Sequence, residues 1–182
     1  MMQLFCVINA FLSCSGLERS KLKLRTYGVV PLSQRCGMVQ MVQHTCAFNA
    51  AVVPLHVVAA MQGEMSVSDA RRAIAKAAND DRPNQVARGG AAASTSASEL
   101  PAHMYAKRLS TYNDVCSRLL PKFHFWFLQR YTNAAAWQAA CSRFRHSLAS
   151  SSIAGYIAGV GDRHTSNILL DMRSGELVHI DF

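Results

Sequence analysis

The chain has 182 residues, enough for one ordinary domain and short for two. Half of the residues are hydrophobic and 16% are charged, which excludes wholesale disorder. Lys and Arg number 19, of which 14 are Arg, against 11 Asp and Glu; the resulting charge of +8 permits nucleic acid, anionic membrane or phosphate-rich ligands as partners and selects none of them.

The first fourteen residues, MMQLFCVINAFLSC, are apolar but lack the basic start of a signal peptide, the first basic residue being Arg19. Leu4, Phe5, Val7, Ile8, Phe11 and Leu12 recur at helical spacing and predict an amphipathic helix. A basic connector follows. LRTYGVVPL then reads as a strand halted by Pro31, and MVQMV at 38–42 as a second strand. Residues 68–79 predict a short helix begun near Ser68 or Asp69, with Arg71, Arg72 and Lys76 as a solvated face. The stretch 80–98 is rich in Pro, Gly, Ser and Ala and predicts a surface loop.

Beyond it the chain is mainly helical, with one helix over 102–120 and another opening at Pro121. Phe123, Phe125, Trp126, Phe127, Leu128 and Tyr131 make the latter apolar nearly all round and predict deep burial; core packing suits them better than base stacking. No later run reaches the length of a membrane span. The six cysteines include no C-x-x-C pair, so reduced thiols are expected in place of a disulfide framework or a zinc site.

The chemistry lies in the last thirty-odd residues. A small-residue helix over 147–159 ends at GVGDRHTSN, a polar loop between hydrophobic elements. NILLD and ELVHIDF follow as strands of a hairpin joined by MRSG. One loop thus delivers Asp162, His164 and Asn167, and the end of the hairpin delivers Asp181. Such a set suits phosphoryl transfer, which needs a group beside the attacking hydroxyl and oxygen ligands for a metal that bridges nucleotide phosphates.

The order D-R-H-x-x-N followed by H-I-D-F resembles the phosphatidylinositol 3-/4-kinase superfamily, which includes the PI3-kinase-related protein kinases. TYGVVPLSQRCG at 26–37 resembles the strand before the nucleotide hinge in the ATM (ataxia-telangiectasia mutated) protein kinases, and the SSI triplet at 151–153 with Trp137 resembles their C-lobe helices. The resemblance covers about three quarters of the chain. It implies an α+β fold, an incomplete bilobal PI3K-like kinase made mainly of the helical C-lobe. On this reading residues 1–42 are an N-lobe remnant with the hinge, 43–79 a divergent segment, 80–98 the low-complexity insertion, and 99–182 the C-lobe through the catalytic loop and a truncated D-F-G.

The same resemblance implies the roles. Asp162 would orient or deprotonate a Ser/Thr hydroxyl, and His164 would stand beside the transferring phosphoryl group. Asn167 and Asp181 would hold Mg2+ for ATP, and Arg163 would make structural ion pairs around the loop. At the adenine hinge, Met41 stands where the family commonly has Trp, and Val42 would offer backbone hydrogen bonds. The implied partners are protein substrates with Ser or Thr followed by Gln, and DNA-damage sensor proteins reached through regions outside these residues. The implied setting is the nucleus, in double-strand-break signalling and telomere maintenance. Direct nucleic-acid binding is not expected, because no aromatic interleaves Arg19, Lys21, Lys23 and Arg25; nor is a membrane. A phosphate loop and an ATP-contacting lysine are not identifiable, so a fragment inactive by itself is expected. A lipid kinase fragment and a non-catalytic interaction remnant remain the alternatives.

Overall fold

The computed structural model describes residues 1–14, 21–79 and 102–181. The chain divides into two compact units, one formed by Met1–Val52 and Phe123–Phe182, the other by Val53–Lys122. The loop expected at 80–98 lies outside the described residues.

The first unit opens with helix α1, Met2–Cys14, where the apolar rhythm called for one. Of its apolar face only Phe5 is buried, packed with Leu24 and Ala154, while Val7 and Phe11 remain exposed. Leu4, Val7 and Phe11 line, with Ile153 and Ile157, an apolar groove of about 770 Å³. Asn9 ties α1 to the irregular segment after it: its Nδ2 donates to the Leu24 carbonyl at 2.9 Å, and its Oδ1 accepts from the Leu24 N–H at 2.8 Å.

Strands β1, Val29–Ser33, and β2, Cys36–Val39, form an antiparallel ribbon. Pro31 does not halt β1. It pairs with Gly37 in the ribbon, and the register shifts between Pro31 and Ser33. A two-stranded ribbon is all edge, where a missing N–H is tolerated. The second strand ends earlier than the hydrophobic run suggested, so Met41 and Val42 lie beyond it.

A second sheet has three antiparallel strands in the order β3-β4-β5: Thr45–Ala47, Ile168–Asp171 and Leu177–His179. The last two are the expected hairpin, with Ile168 opposite His179 and Leu170 opposite Leu177. Strand β3 was not legible in the sequence; Cys46 pairs with Leu170, whose side chain is fully buried.

Helices α5, Phe123–Arg130, and α6, Ala134–Ala158, pack behind the hairpin. The first begins two residues after Pro121. Only Trp126 and Phe127 of it are buried, while Phe125 and Leu128 are exposed, so its apolar surface is wider than its core contact. Phe123 sits among Phe48, Trp126, Phe127 and Phe144, with ring centroids 4.7–6.1 Å apart. Helix α6 runs well upstream of the expected small-residue segment. Asn133 caps it by accepting from the N–H groups of Ala135 and Ala136. Its buried residues, Ala140, Ser147, Ser150 and Ala154, form one narrow stripe of small side chains against which backbone can lie. The Ser147 hydroxyl accepts from the Leu177 N–H at 2.9 Å, fixing β5 to the helix.

Three further residues clamp the hairpin turn. Arg130 and the Tyr131 hydroxyl both donate to the Met172 carbonyl, and Arg143 donates to that of Ser174. Inside the turn, Asp171 Oδ1 accepts from the N–H groups of Arg173 and Ser174.

The second unit holds the later part of helix α2, Phe48–Met61, then α3, Val67–Asn79, and α4, Ala102–Arg118. Helix α2 was not anticipated, because Pro54 stands inside it among β-branched residues that favour strands. Ser66 caps α3: its hydroxyl accepts from the Asp69 N–H and donates to the Asp69 carboxylate. Among the described residues of this unit Ala59, Ala70, Ala77 and Val115 are buried, and Lys122 pairs with Glu64 at 2.6 Å.

Candidate active site

Helix α6 stops where the polar loop begins, and the stop is built into the backbone. Gly159 is left-handed at φ 63°, its N–H bonds back to Gly155 and Tyr156, and the Val160 N–H bonds to the Gly155 carbonyl at 2.9 Å. This double closure ends a helix cleanly and turns the chain away from its axis. Residues 160–167 then cross to β4.

Within that loop the Asn167 N–H donates to the His164 carbonyl at 3.0 Å, which makes a tight turn. His164 Nδ1 accepts from the Ser166 N–H at 3.2 Å. A ring nitrogen used as an acceptor leaves the proton of the neutral imidazole on Nε2, on the far side of the ring. Asn49, at the start of α2, braces the loop from outside, its N–H reaching the Thr165 carbonyl and its Nδ2 the Ser166 hydroxyl.

Asn167 is the buried residue of the set, while Asp162, His164 and Asp181 are exposed. The Asn167 amide nitrogen donates to the Asp162 carbonyl at 3.2 Å, and its backbone carbonyl accepts from the Ile180 N–H at 3.0 Å. One residue therefore connects the loop that carries Asp162 to the strand end that carries Asp181. With Nδ2 committed, Oδ1 is the atom that Asn167 can present to a cation. Among the described residues no three His, Cys, Asp or Glu side chains converge on a metal position. An amide oxygen and one carboxylate nevertheless suit a magnesium ion that takes its other oxygens from phosphates and water.

Asp162 and Asp181 both adopt left-handed backbone, at φ 50° and 53°. Arg163 lies between them. Its Nε donates to the Gly161 carbonyl at 2.7 Å and Nη1 to the Ile180 carbonyl at 2.8 Å, while Nη2 donates to the Asp181 carbonyl. Backbone carbonyls are thus prominent among its partners. Burial, and then the Arg163 charge, hold the His179 imidazole below its ordinary pKa, so this histidine is neutral at neutral pH.

Asp181 opens onto a cavity of about 450 Å³ lined by Met1, Met2, Gln3, Tyr27, Val29, Pro31, Val39 and Asp181. Tyr27 is a site residue that the sequence reading used only as part of a strand. Burial pushes its phenol pKa up, the Asp181 carboxylate adds to the rise, and Arg163 and a hydrogen bond with the Asp181 backbone pull it back. Its place two residues before the Val29–Val30 pair was the available signal, since alternate strand residues share a face. Met41 and Val42 are not among the cavity residues. Met41 is 86% exposed, and the Val42 carbonyl accepts from the Thr45 hydroxyl at 2.8 Å.

Several known proteins are similar to this chain. Serine/threonine-protein kinase TEL1 of Yarrowia lipolytica is 32% identical over 183 residues, an alignment that takes in all of this chain and 7% of that protein. Serine/threonine-protein kinase ATM of Drosophila melanogaster is 31% identical over 184 residues, again covering the whole chain and 6% of the relative. The solved FAT and kinase domain of CtTel1 superposes with a TM-score of 0.77 at 25% identity, over 100% of this chain and 11% of that one. The Tel1 kinase butterfly symmetric dimer gives 0.75 at 29% identity, over 100% and 7% respectively. The chain spans less than a tenth of the length of these curated relatives, which bear the names of protein kinases, not lipid kinases. Kinases of this kind use ATP and a divalent metal. No described helix is long and apolar enough to cross a membrane. With residues 1–182 matched throughout by the family described as phosphatidylinositol 3- and 4-kinase, the chain belongs to that family.

Proposed function

We propose that this chain carries the catalytic loop of a Tel1/ATM-like serine/threonine protein kinase, transferring the γ-phosphoryl group of ATP to a protein hydroxyl. The observation that supports it most is the pair of Asn167 bonds, one to the Asp162 carbonyl and one from the Ile180 N–H. They tie the loop that carries Asp162 to the strand end that carries Asp181, which supports a base and a metal ligand acting together in phosphoryl transfer.

In this reading Asp162 accepts or orients the proton of the attacking Ser/Thr hydroxyl. His164 directs its Nε2–H toward the transferring phosphoryl oxygens, where a donor offsets the growing negative charge. Asn167 Oδ1 and the Asp181 carboxylate hold Mg2+, which when bound neutralises phosphate charge. Met41 and Val42 border the adenine end, with the ribbon β1–β2 as its wall. The substrates are proteins with Ser or Thr followed by Gln, the partners are DNA-damage sensors that bind other parts of the protein, and the location is the nucleus, in double-strand-break signalling and telomere maintenance. These last roles rest on likeness to proteins named TEL1 and ATM.

The test is transfer of labelled γ-phosphate by the protein that carries this chain, offered a Ser-Gln peptide and, separately, phosphatidylinositol vesicles. Label on the peptide, lost in D162N, is the expected result. Label on the lipid alone would convert the reading to a lipid kinase. Equal background for parent and D162N on both substrates would leave a non-catalytic interaction module.

A further inference from the structure

Left-handed backbone at a non-glycine residue is strained, less for Asp than for an ordinary side chain. Among the described residues only four non-glycine positions adopt it, and two of them are Asp162 and Asp181. Something must hold these two conformations, because both residues are exposed and their side chains are not packed into a core.

The φ angle of a residue is set by the peptide plane that precedes it. For Asp162 that plane carries the Gly161 carbonyl, and for Asp181 it carries the Ile180 carbonyl. Arg163 donates to both, from Nε at 2.7 Å and from Nη1 at 2.8 Å, and its Nη2 also reaches the Asp181 carbonyl. A guanidinium is planar and its donors diverge at fixed angles. Holding both planes with one rigid group therefore fixes them relative to each other as well as individually.

From this we infer that Arg163 is a positioning residue: its guanidinium locks the backbone of Asp162 and Asp181 together and so aims both carboxylates at one reaction centre. The inference rests on the kinase reading given above for the direction in which those carboxylates act. The backbone lock itself stands on the geometry of Arg163 alone. Lysine cannot replace it. One ammonium at the end of a flexible stem cannot span three carbonyls in a fixed fork, although it would preserve the charge.

The experiment compares the full chain with R163K, D181N and the exposed-site control R173K. Mn2+ with a non-hydrolysable ATP analogue is titrated by electron paramagnetic resonance, and amide hydrogen exchange is followed at Ile180 and Asp181. R163K should weaken Mn2+ binding by roughly 10- to 100-fold, the usual loss when a residue that orients metal ligands is changed. Its Ile180 amide should exchange faster, while its thermal midpoint and the behaviour of R173K stay close to those of the parent. Parental Mn2+ affinity in R163K, with D181N weakened, would overturn the inference. Parental affinity in D181N would instead sink the metal role of Asp181; exchange at Ile180 then decides for Arg163, faster exchange sustaining the lock and unchanged exchange ending it. Should R163K fail to fold, the parent chain provides the check. An Arg163 Nε–H that exchanges with solvent more slowly than that of Arg173 supports the lock, and equal rates overturn it.

Discussion

Gly175 lies against Ala140 so closely that a Cβ on the glycine would stand 3.0 Å from the Ala140 carbonyl oxygen and 3.1 Å from its Cβ. The same atom would meet the Phe127 ring at 3.2 Å, and the backbone of Gly175 is left-handed at φ 79°. The hairpin that ends at Asp181 is seated on α6 through this contact, so the small stripe of the helix and the glycine of the turn are one device. Gly175→Ala should lower stability by about 2–4 kcal/mol, from the left-handed strain and the crowding together. Denaturant unfolding measures it; a loss under about 0.5 kcal/mol, the level of an ordinary surface change, would show that the turn can move away at little cost.

Asn133 is the cap of the long helix that leads into the polar loop at 160–167, accepting from two backbone N–H groups. Asn133→Ala should reduce stability by about 1 kcal/mol, whereas Asn133→Asp should retain it. Thermal unfolding of the two variants side by side makes the comparison.

The bond pair between Asn9 and the Leu24 backbone anchors α1 to the segment before β1. Removing the amide in Asn9→Ala leaves a partly buried N–H and carbonyl without their partner, at a cost of about 1–3 kcal/mol. Asn9→Asp keeps the acceptor for the Leu24 N–H but sets a carboxylate oxygen against the Leu24 carbonyl. It should recover no more than half of the loss, and full recovery would mean that the bond to the carbonyl contributes nothing.

Tyr131 gives a pH dependence with a defined sign. Burial raises its phenol pKa above the ordinary 10.0, Asp171 adds to the rise, and Arg130 and Arg143 oppose it. The unfolded chain therefore loses this proton first. Stability from Tyr131 is fully present below about pH 10, the unfolded value, and is lost as pH rises through the folded one. Tyr131→Phe should flatten that alkaline decline while giving up the bond to the Met172 carbonyl at neutral pH. Unfolding free energies from pH 7 to 11 for both proteins would show it, and parallel curves would refute it.

On the proposed mechanism, Asp162→Asn in an active preparation of the protein that carries this chain should lower turnover by a factor on the order of 10²–10⁴, the range of a general base. The KM for ATP should change little, because Asp162 faces the hydroxyl and not the nucleotide. A variant that loses ATP affinity and retains turnover would reassign Asp162 to nucleotide binding.

Much of the site was legible because it is local. D-R-H-x-x-N places Asp162, His164 and Asn167 on one loop whatever surrounds it, and the Gly175 turn brings the H-I-D-F strand back beside it. The apolar rhythm of α1 and the hairpin alternation were equally plain, since each depends only on the period of its own element. Strand β3 was hidden, three residues long and paired with Leu170 across more than a hundred positions of sequence. Helix α2 was hidden by Pro54, whose local cost tertiary packing overrides. Tyr27 and Arg163 belong to the same class. What they do depends on carbonyls and carboxylates that the chain delivers from elsewhere. Sequence alone therefore determined which chemical groups this basic, 182-residue chain brings to its loop. Only the tertiary structure decided that one guanidinium grips the peptide planes before both aspartates, because bond direction is a property of folded backbone and not of residue order.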